Sequence, residues 1–175
     1  MVFVGATAPE FTLKGIDRGR VGDYSLKLYR GRWVVLFFYP ADFSFICPTE
    51  VTGFSKTVGE FRAEEAEILG VSVDSLETHR AWAEELGGIN YPLLSDADKK
   101  VSRLYGVLEE DAGVSQRATA IIHPDGEVKY LVVSDMNVGR SVEETLRVLK
   151  ALRTGRLCPS DWKPGDETGD VGLKY

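Results

Sequence analysis

Cysteine, histidine and methionine are scarce in this chain, with two of each among 175 residues. Two cysteines and two histidines cannot complete a zinc site of standard spacing. So few cysteines also exclude a disulfide-dense secreted scaffold. Long apolar runs are missing too: the longest, residues 33–40, has eight members, whereas a bilayer span needs about 18–20. Basic residues are in the minority, 21 against 27 acidic, for a net charge of −6. That balance repels phosphate backbones and argues against broad nucleic-acid binding. No internal repeat or low-complexity tract is present. Residues 1–10 show no basic segment followed by an apolar one, and no lipidation motif is visible at the C-terminus. A cytoplasmic location is therefore the expectation, where structural disulfides are rare. Cys47 and Cys158, 111 residues apart and without a Cys-x-x-Cys pair, are then two inert thiols, one reactive thiol with a bystander, or a redox pair.

What is present is an ordinary globular composition, 43% hydrophobic and 27% charged, long enough to bury roughly 70% of its unfolded surface. Residues 33–39 are apolar without alternation and rich in β-branched and aromatic types, which reads as a central strand buried on both faces. Pro48-Thr49-Glu50-Val51 opens a helix, with proline suited to its first turn and glutamate to its positive end. A strand over residues 66–73 and a helix capped by Asp74-Ser75 follow. Leu93-Leu94 reads as a brief strand, and Ser95-Asp96 as the cap of a helix ending near Tyr105. Two β-rich runs, residues 119–123 and 128–133, are joined by Pro124-Asp125-Gly126 as a hairpin. A last helix starts at Ser141 with a Ser-x-x-Glu capping box. The order gives an α/β domain with a mixed sheet over residues 1–152. Residues 153–175 read as a C-terminal tail carrying Cys158, anchored by Leu157, Trp162 and Tyr175.

Cys47 lies between a buried strand and a helix start, where α/β proteins place their sites. Unpaired N–H groups and the positive helix end favour a thiolate there. The surrounding stretch, Phe38-Tyr39-Pro40-Ala41-Asp42-Phe43-Ser44-Phe45-Ile46-Cys47-Pro48-Thr49-Glu50, closely resembles the active-site segment of the peroxiredoxins, P-x-x-x-[T/S]-x-x-C. Residues 5–11, 74–82, 91–96, 138–147 and 158–165, together with Arg117, extend the likeness over nearly the whole chain. It is strongest to the typical 2-Cys peroxiredoxins, including the alkyl hydroperoxide reductase C component.

That resemblance implies a thioredoxin-like fold, with a mixed central sheet flanked by helices. It also implies a thiol-dependent peroxidase acting on hydrogen peroxide and small alkyl hydroperoxides. Cys47 would be the peroxidatic residue, oxidised to a sulfenic acid. Cys158 would be the resolving residue, closing a disulfide with Cys47, usually that of a partner subunit. Thiolate fraction alone gains roughly 30-fold at pH 7, so groups that orient the peroxide must supply the larger part. By resemblance these are Arg117, Ser44 and Pro40, with Glu50 and Arg140 supporting Arg117. Ser44 stands where threonine is usual and lacks the methyl group that stiffens the rotamer.

No metal, haem or flavin cofactor is expected. The implied partners are a dithiol reductant, either thioredoxin or a flavoprotein disulfide reductase system, and a second copy in a homodimer able to build a decamer. Members of that family that are easily overoxidised carry a Gly-Gly-Leu-Gly insertion and a C-terminal Tyr-Phe pair; neither is seen here, so the resemblance implies an enzyme that resists overoxidation. A dithiol oxidoreductase, a one-cysteine peroxidase, and a chaperone or redox signalling relay are the rival readings. His79 reads as core packing beside Trp82, and His123 as exposed.

Overall fold

The computed structural model describes residues 2–172, so Tyr175, expected to anchor the tail, lies outside the described residues. Two antiparallel strands open the chain, β1 (Thr12–Asp17) and β2 (Arg20–Ser25), followed by a 3-10 turn. Then come β3 (Trp33–Phe38), α1 (Cys47–Ala63), β4 (Ala66–Ser72), α2 (Leu76–Glu85) and β5 (Leu93–Ser95). After α3 (Lys100–Tyr105), the two-residue strands β6 (Leu108–Glu109) and β7 (Val114–Ser115) pair with each other. The chain continues through β8 (Arg117–Ile122) and β9 (Val128–Ser134) to α4 (Val142–Thr154).

Seven strands form one mixed sheet in the order β2-β1-β5-β4-β3-β8-β9. Strand β3 is at its heart, parallel to β4 and antiparallel to β8. Every residue of β3 is buried, because its side chains alternate between two cores. Trp33, Val35 and Phe37 join the core of α1, α2 and α4, with Phe54, Trp82 and Leu149. Val34, Leu36 and Phe38 join the opposite core, with Val101 and Tyr105 of α3. A strand sandwiched in this way needs no polar face, hence its unbroken apolar sequence. The arrangement is the thioredoxin-like α/β fold that the resemblance implied.

Three local features differ from expectation. The β1–β2 hairpin is absent from the sequence reading, since Gly15 and Gly22 interrupt its alternation and strand glycines weaken the signal. Gly15 is required by close approach: a Cβ there would lie 2.4 Å from Leu94 Cδ2 and 2.9 Å from the Leu93 carbonyl oxygen. Gly15→Ala is expected to cost about 1–3 kcal/mol of stability, measured as a lower urea midpoint. At α3, helix geometry starts at Lys100 rather than directly after Asp96. The buried Asp96 carboxylate still accepts from Val101 N (3.0 Å) and Ser102 N (2.7 Å), so it caps from a distance. At α4 only half of the capping box forms. Ser141 Oγ accepts from Glu144 N (3.0 Å), while the Glu144 carboxylate turns to Arg147.

The tail packs through Trp162, buried, and Leu157, which pairs with Gly169 in a β-bridge. Arg147 Nη1 also donates to the Trp162 carbonyl (3.0 Å). No helix among the described residues is long and apolar enough to cross a membrane.

Candidate active site

Strand β3 delivers the chain into Tyr39 and Pro40, both buried, and a short segment leads to α1. Cys47 is the first residue of α1, with Pro48 and Glu50 both in its first turn. Proline is tolerated there because the first-turn N–H groups have no intrahelical partner. The thiol has no exposed surface.

Arg117, the first residue of β8, points at it: Nη1 donates to Cys47 Sγ (3.3 Å) and to Glu50 Oε2 (2.9 Å). Arg117 Nε donates to the Met136 carbonyl (2.9 Å), so the guanidinium plane is fixed at two edges. Glu50 in turn receives Arg140 in a two-pronged pair, Nε to Oε1 and Nη2 to Oε2, both 2.9 Å. The Arg140 amide adds a third bond to Oε1 (2.7 Å). Arg140 Nη1 reaches the carbonyls of Phe38 (2.7 Å) and Ala118 (2.5 Å), and its guanidinium lies over the Phe37 ring.

All three charged side chains are at least nine-tenths buried. Two guanidiniums against one carboxylate leave a single excess positive charge beside the Cys47 sulfur. Burial pushes the Glu50 carboxyl up. The hydrogen bonds and charge of Arg140, with the charge of Arg117, outweigh this and hold it below the usual carboxylate range. Isolated buried charges are costly, and the network persists because each member is paired and hydrogen-bonded.

The structure thus brings together Cys47, Arg117, Glu50 and Arg140 from α1, β8 and the loop before α4. Pro40 and Ser44 lie on the segment that leads into Cys47, and the Ser44 hydroxyl oxygen is buried without a protein partner. Cys158 is elsewhere. It lines a cavity with Trp33 and His123, residues at the start of β3 and just past the end of β8. Cys47 sits instead beside the first residue of β8. Six residues of extended chain separate the two ends, about 20 Å. Both cysteines are free thiols, Cys158 half-buried. The described residues contain no cluster of potential metal ligands.

Sequence reasoning missed the carbonyls of Met136, Phe38 and Ala118, since a backbone acceptor leaves no residue signature. One histidine matches its expected core position and the other differs. His79 is fully buried, but as a polar residue paired with Asp42 (2.6 Å). His123 is half-buried rather than exposed, edge-on to the Trp33 indole at 4.9 Å.

The AhpC/TSA family profile matches residues 4–131. A protein of Clostridium pasteurianum named as a peroxiredoxin in the rubredoxin operon is 51% identical over 172 residues, covering 94% of this chain and 97% of the relative. Mouse peroxiredoxin-2 is 45% identical over 175 residues, covering 94% and 88%. The reduced 2-Cys peroxiredoxin of Plasmodium vivax superposes with a TM-score of 0.91 at 37% identity, covering 96% of this chain and 93% of that one. With the fold, the buried thiol and matches along nearly its whole length, the chain belongs to the AhpC/TSA family as a 2-Cys peroxiredoxin, a thiol-dependent peroxidase.

Proposed function

We propose that Cys47 reduces hydrogen peroxide and small alkyl hydroperoxides, and that Cys158 of a partner subunit resolves the product. The observation that carries this reading is the buried Cys47 sulfur facing a guanidinium, Arg117, that Glu50 and Met136 hold in place. The Cys47 thiolate attacks the terminal peroxide oxygen. The O–O bond breaks, the leaving hydroxide or alkoxide takes a proton, and sulfur becomes a sulfenic acid by a two-electron oxidation. Arg117 stabilises the charge on the leaving oxygen, and that donor is already in position before the reaction. Ser44, whose hydroxyl has no protein partner, supplies a second hydrogen bond to the peroxide. Pro40, buried two residues past the end of β3, walls the thiol off from water.

The Cys158 thiol then attacks the sulfenic sulfur, the S–O bond breaks, and water leaves as the disulfide forms. Capture must outpace further peroxide, which drives a sulfenic acid irreversibly to sulfinic acid. A disulfide requires Cα atoms within about 7 Å, and within one subunit the two cysteines flank opposite ends of β8. That separation favours a partner's Cys158, carried on the segment 153–175 after α4. A second copy in antiparallel orientation places each tail at the other's site, a homodimer from which a decamer can be built. Electrons return from a dithiol partner, thioredoxin or a flavoprotein disulfide reductase, and no cofactor of the chain's own takes part.

The test is one equivalent of hydrogen peroxide, followed by non-reducing electrophoresis and thiol mass spectrometry on wild type and Cys158→Ser. A Cys47–Cys158 dimer band in wild type, lost in the variant, is expected. A stable Cys47 sulfenic acid in a wild-type monomer would shift the reading to a one-cysteine peroxidase. An unoxidised Cys47 would overturn it.

A further inference from the structure

A second buried polar cluster lies outside the Arg117–Glu50–Arg140 network, on the segment that leads into Cys47. Asp42 is 6% exposed as a residue and is gripped from three directions. His79 of α2, fully buried, places Nδ1 2.6 Å from Asp42 Oδ2, with Nε2 3.2 Å from the Leu94 carbonyl oxygen of β5. Tyr39 OH donates to Asp42 Oδ1 (2.8 Å). Burial, and then the adjacent Asp42 charge, keep that phenol protonated well above its usual range. The Asp42 amide donates to Asp74 Oδ2 (2.9 Å), an oxygen that also accepts from Ser72 Oγ (2.6 Å).

The three residues that follow make no side-chain hydrogen bond to the body of the domain. Phe43 has a left-handed backbone (φ 55°) and is half exposed, and Phe45 is 95% exposed. Ser44 Oγ has no partner. Between Pro40 and the first turn of α1, the side-chain hydrogen bonds that tie the segment to the body of the domain are those of Asp42, with the Phe43 ring against Trp82 of α2 (6.3 Å) as an added apolar contact.

This attachment has a consequence for the resolving step, because Cys47 is completely buried and must leave its place to meet another cysteine. We propose that the Asp42–His79 hydrogen bond is the latch on segment 40–47, setting how readily it unwinds once Cys47 is oxidised. His79 and Asp42 are then positioning residues for disulfide closure, and not for peroxide reduction, an assignment that rests on the two-cysteine reading above. A hydrogen bond to a carboxylate in a dry setting is strong because no water competes for it. Its loss raises the population of the opened segment, and closure tracks that population.

Rapid-quench alkylation and mass spectrometry separate the two steps, following Cys47 sulfenic acid and the Cys47–Cys158 disulfide after a peroxide pulse. In full-length His79→Leu, Cys47 oxidation is expected to stay within about twofold of wild type, while closure accelerates about tenfold. Less sulfinic acid then accumulates at high peroxide. His79→Gln, which keeps one donor towards Asp42, is expected to fall between. If His79→Leu does not fold, Asp42→Asn preserves the side-chain shape and carries the same expectation. An unchanged closure rate in a folded variant overturns the latch, as does equal slowing of both steps, the mark of a merely structural pair. A wild type that forms no Cys47 sulfenic acid defeats the underlying peroxidase reading instead, and is seen in the same experiment.

Discussion

Arg117→Ala is expected to lower the second-order rate constant for Cys47 oxidation by roughly 100- to 1,000-fold, the loss typical of removing one preorganised donor at a developing oxyanion. Two features make this larger than the loss of a nearby charge. Arg117 Nη1 is 3.3 Å from the sulfur, so in the proposed mechanism the guanidinium borders the approach of the peroxide. Its orientation is also fixed in advance, by the Met136 carbonyl on Nε and by Glu50 on Nη1, and no reorganisation is needed as charge develops. Arg117→Lys keeps the charge but has a single nitrogen, which cannot hold both acceptors and face the sulfur as well. A loss of about tenfold or more is therefore expected there. Stopped-flow oxidation of the reduced proteins, before any disulfide forms, isolates the step. An alanine variant within about threefold of wild type would remove Arg117 from the chemistry.

How much of this site the sequence displays depends on the range of the interaction. Strand β3 is legible because burial on both faces leaves an unbroken apolar run. The start of α1 is legible because Pro48 and Glu50 are local helix-start signals. The β1–β2 hairpin is not, because Gly15 and Gly22 stand where alternation would be read; its remaining cue is Asp17-Arg18-Gly19-Arg20, a turn sequence. Glu50 and Arg140 are 90 residues apart, and no periodicity links them; resemblance to the peroxiredoxins paired them, and the structure brings them to 2.9 Å. His79 shows the limit most clearly. Its spacing from Trp82 marks it correctly as a core position on α2, but its polar partner, Asp42, comes from a loop 37 residues earlier. Nothing in either local pattern announces the other.

Glu50→Ala carries the largest expected effect on stability, about 3–5 kcal/mol, the range for breaking a buried ion pair by removing one partner. The substitution leaves Arg117 and Arg140 buried, with their mutual repulsion uncompensated and their shared acceptor gone. The effect follows from what remains behind, and so it exceeds the net contribution of the pair itself. The same carboxylate governs an acid limb. Folding lowers the Glu50 pKa, so the stabilisation it gives is fully present above its unfolded value, about 4.3. It is lost as the pH falls through the lower folded value, where the native carboxylate must take up a proton. Wild-type urea midpoints are thus expected to drop between about pH 4.3 and lower pH through this group. In Glu50→Gln, less stable throughout, that component of the slope is absent. Equal slopes in the two proteins would mean that Glu50 is not held ionised by its two arginines. A mild loss in Glu50→Ala would mean that the arginines find water or other acceptors when it is gone. The first result would leave the Met136 carbonyl as the group that orients Arg117 against the thiol.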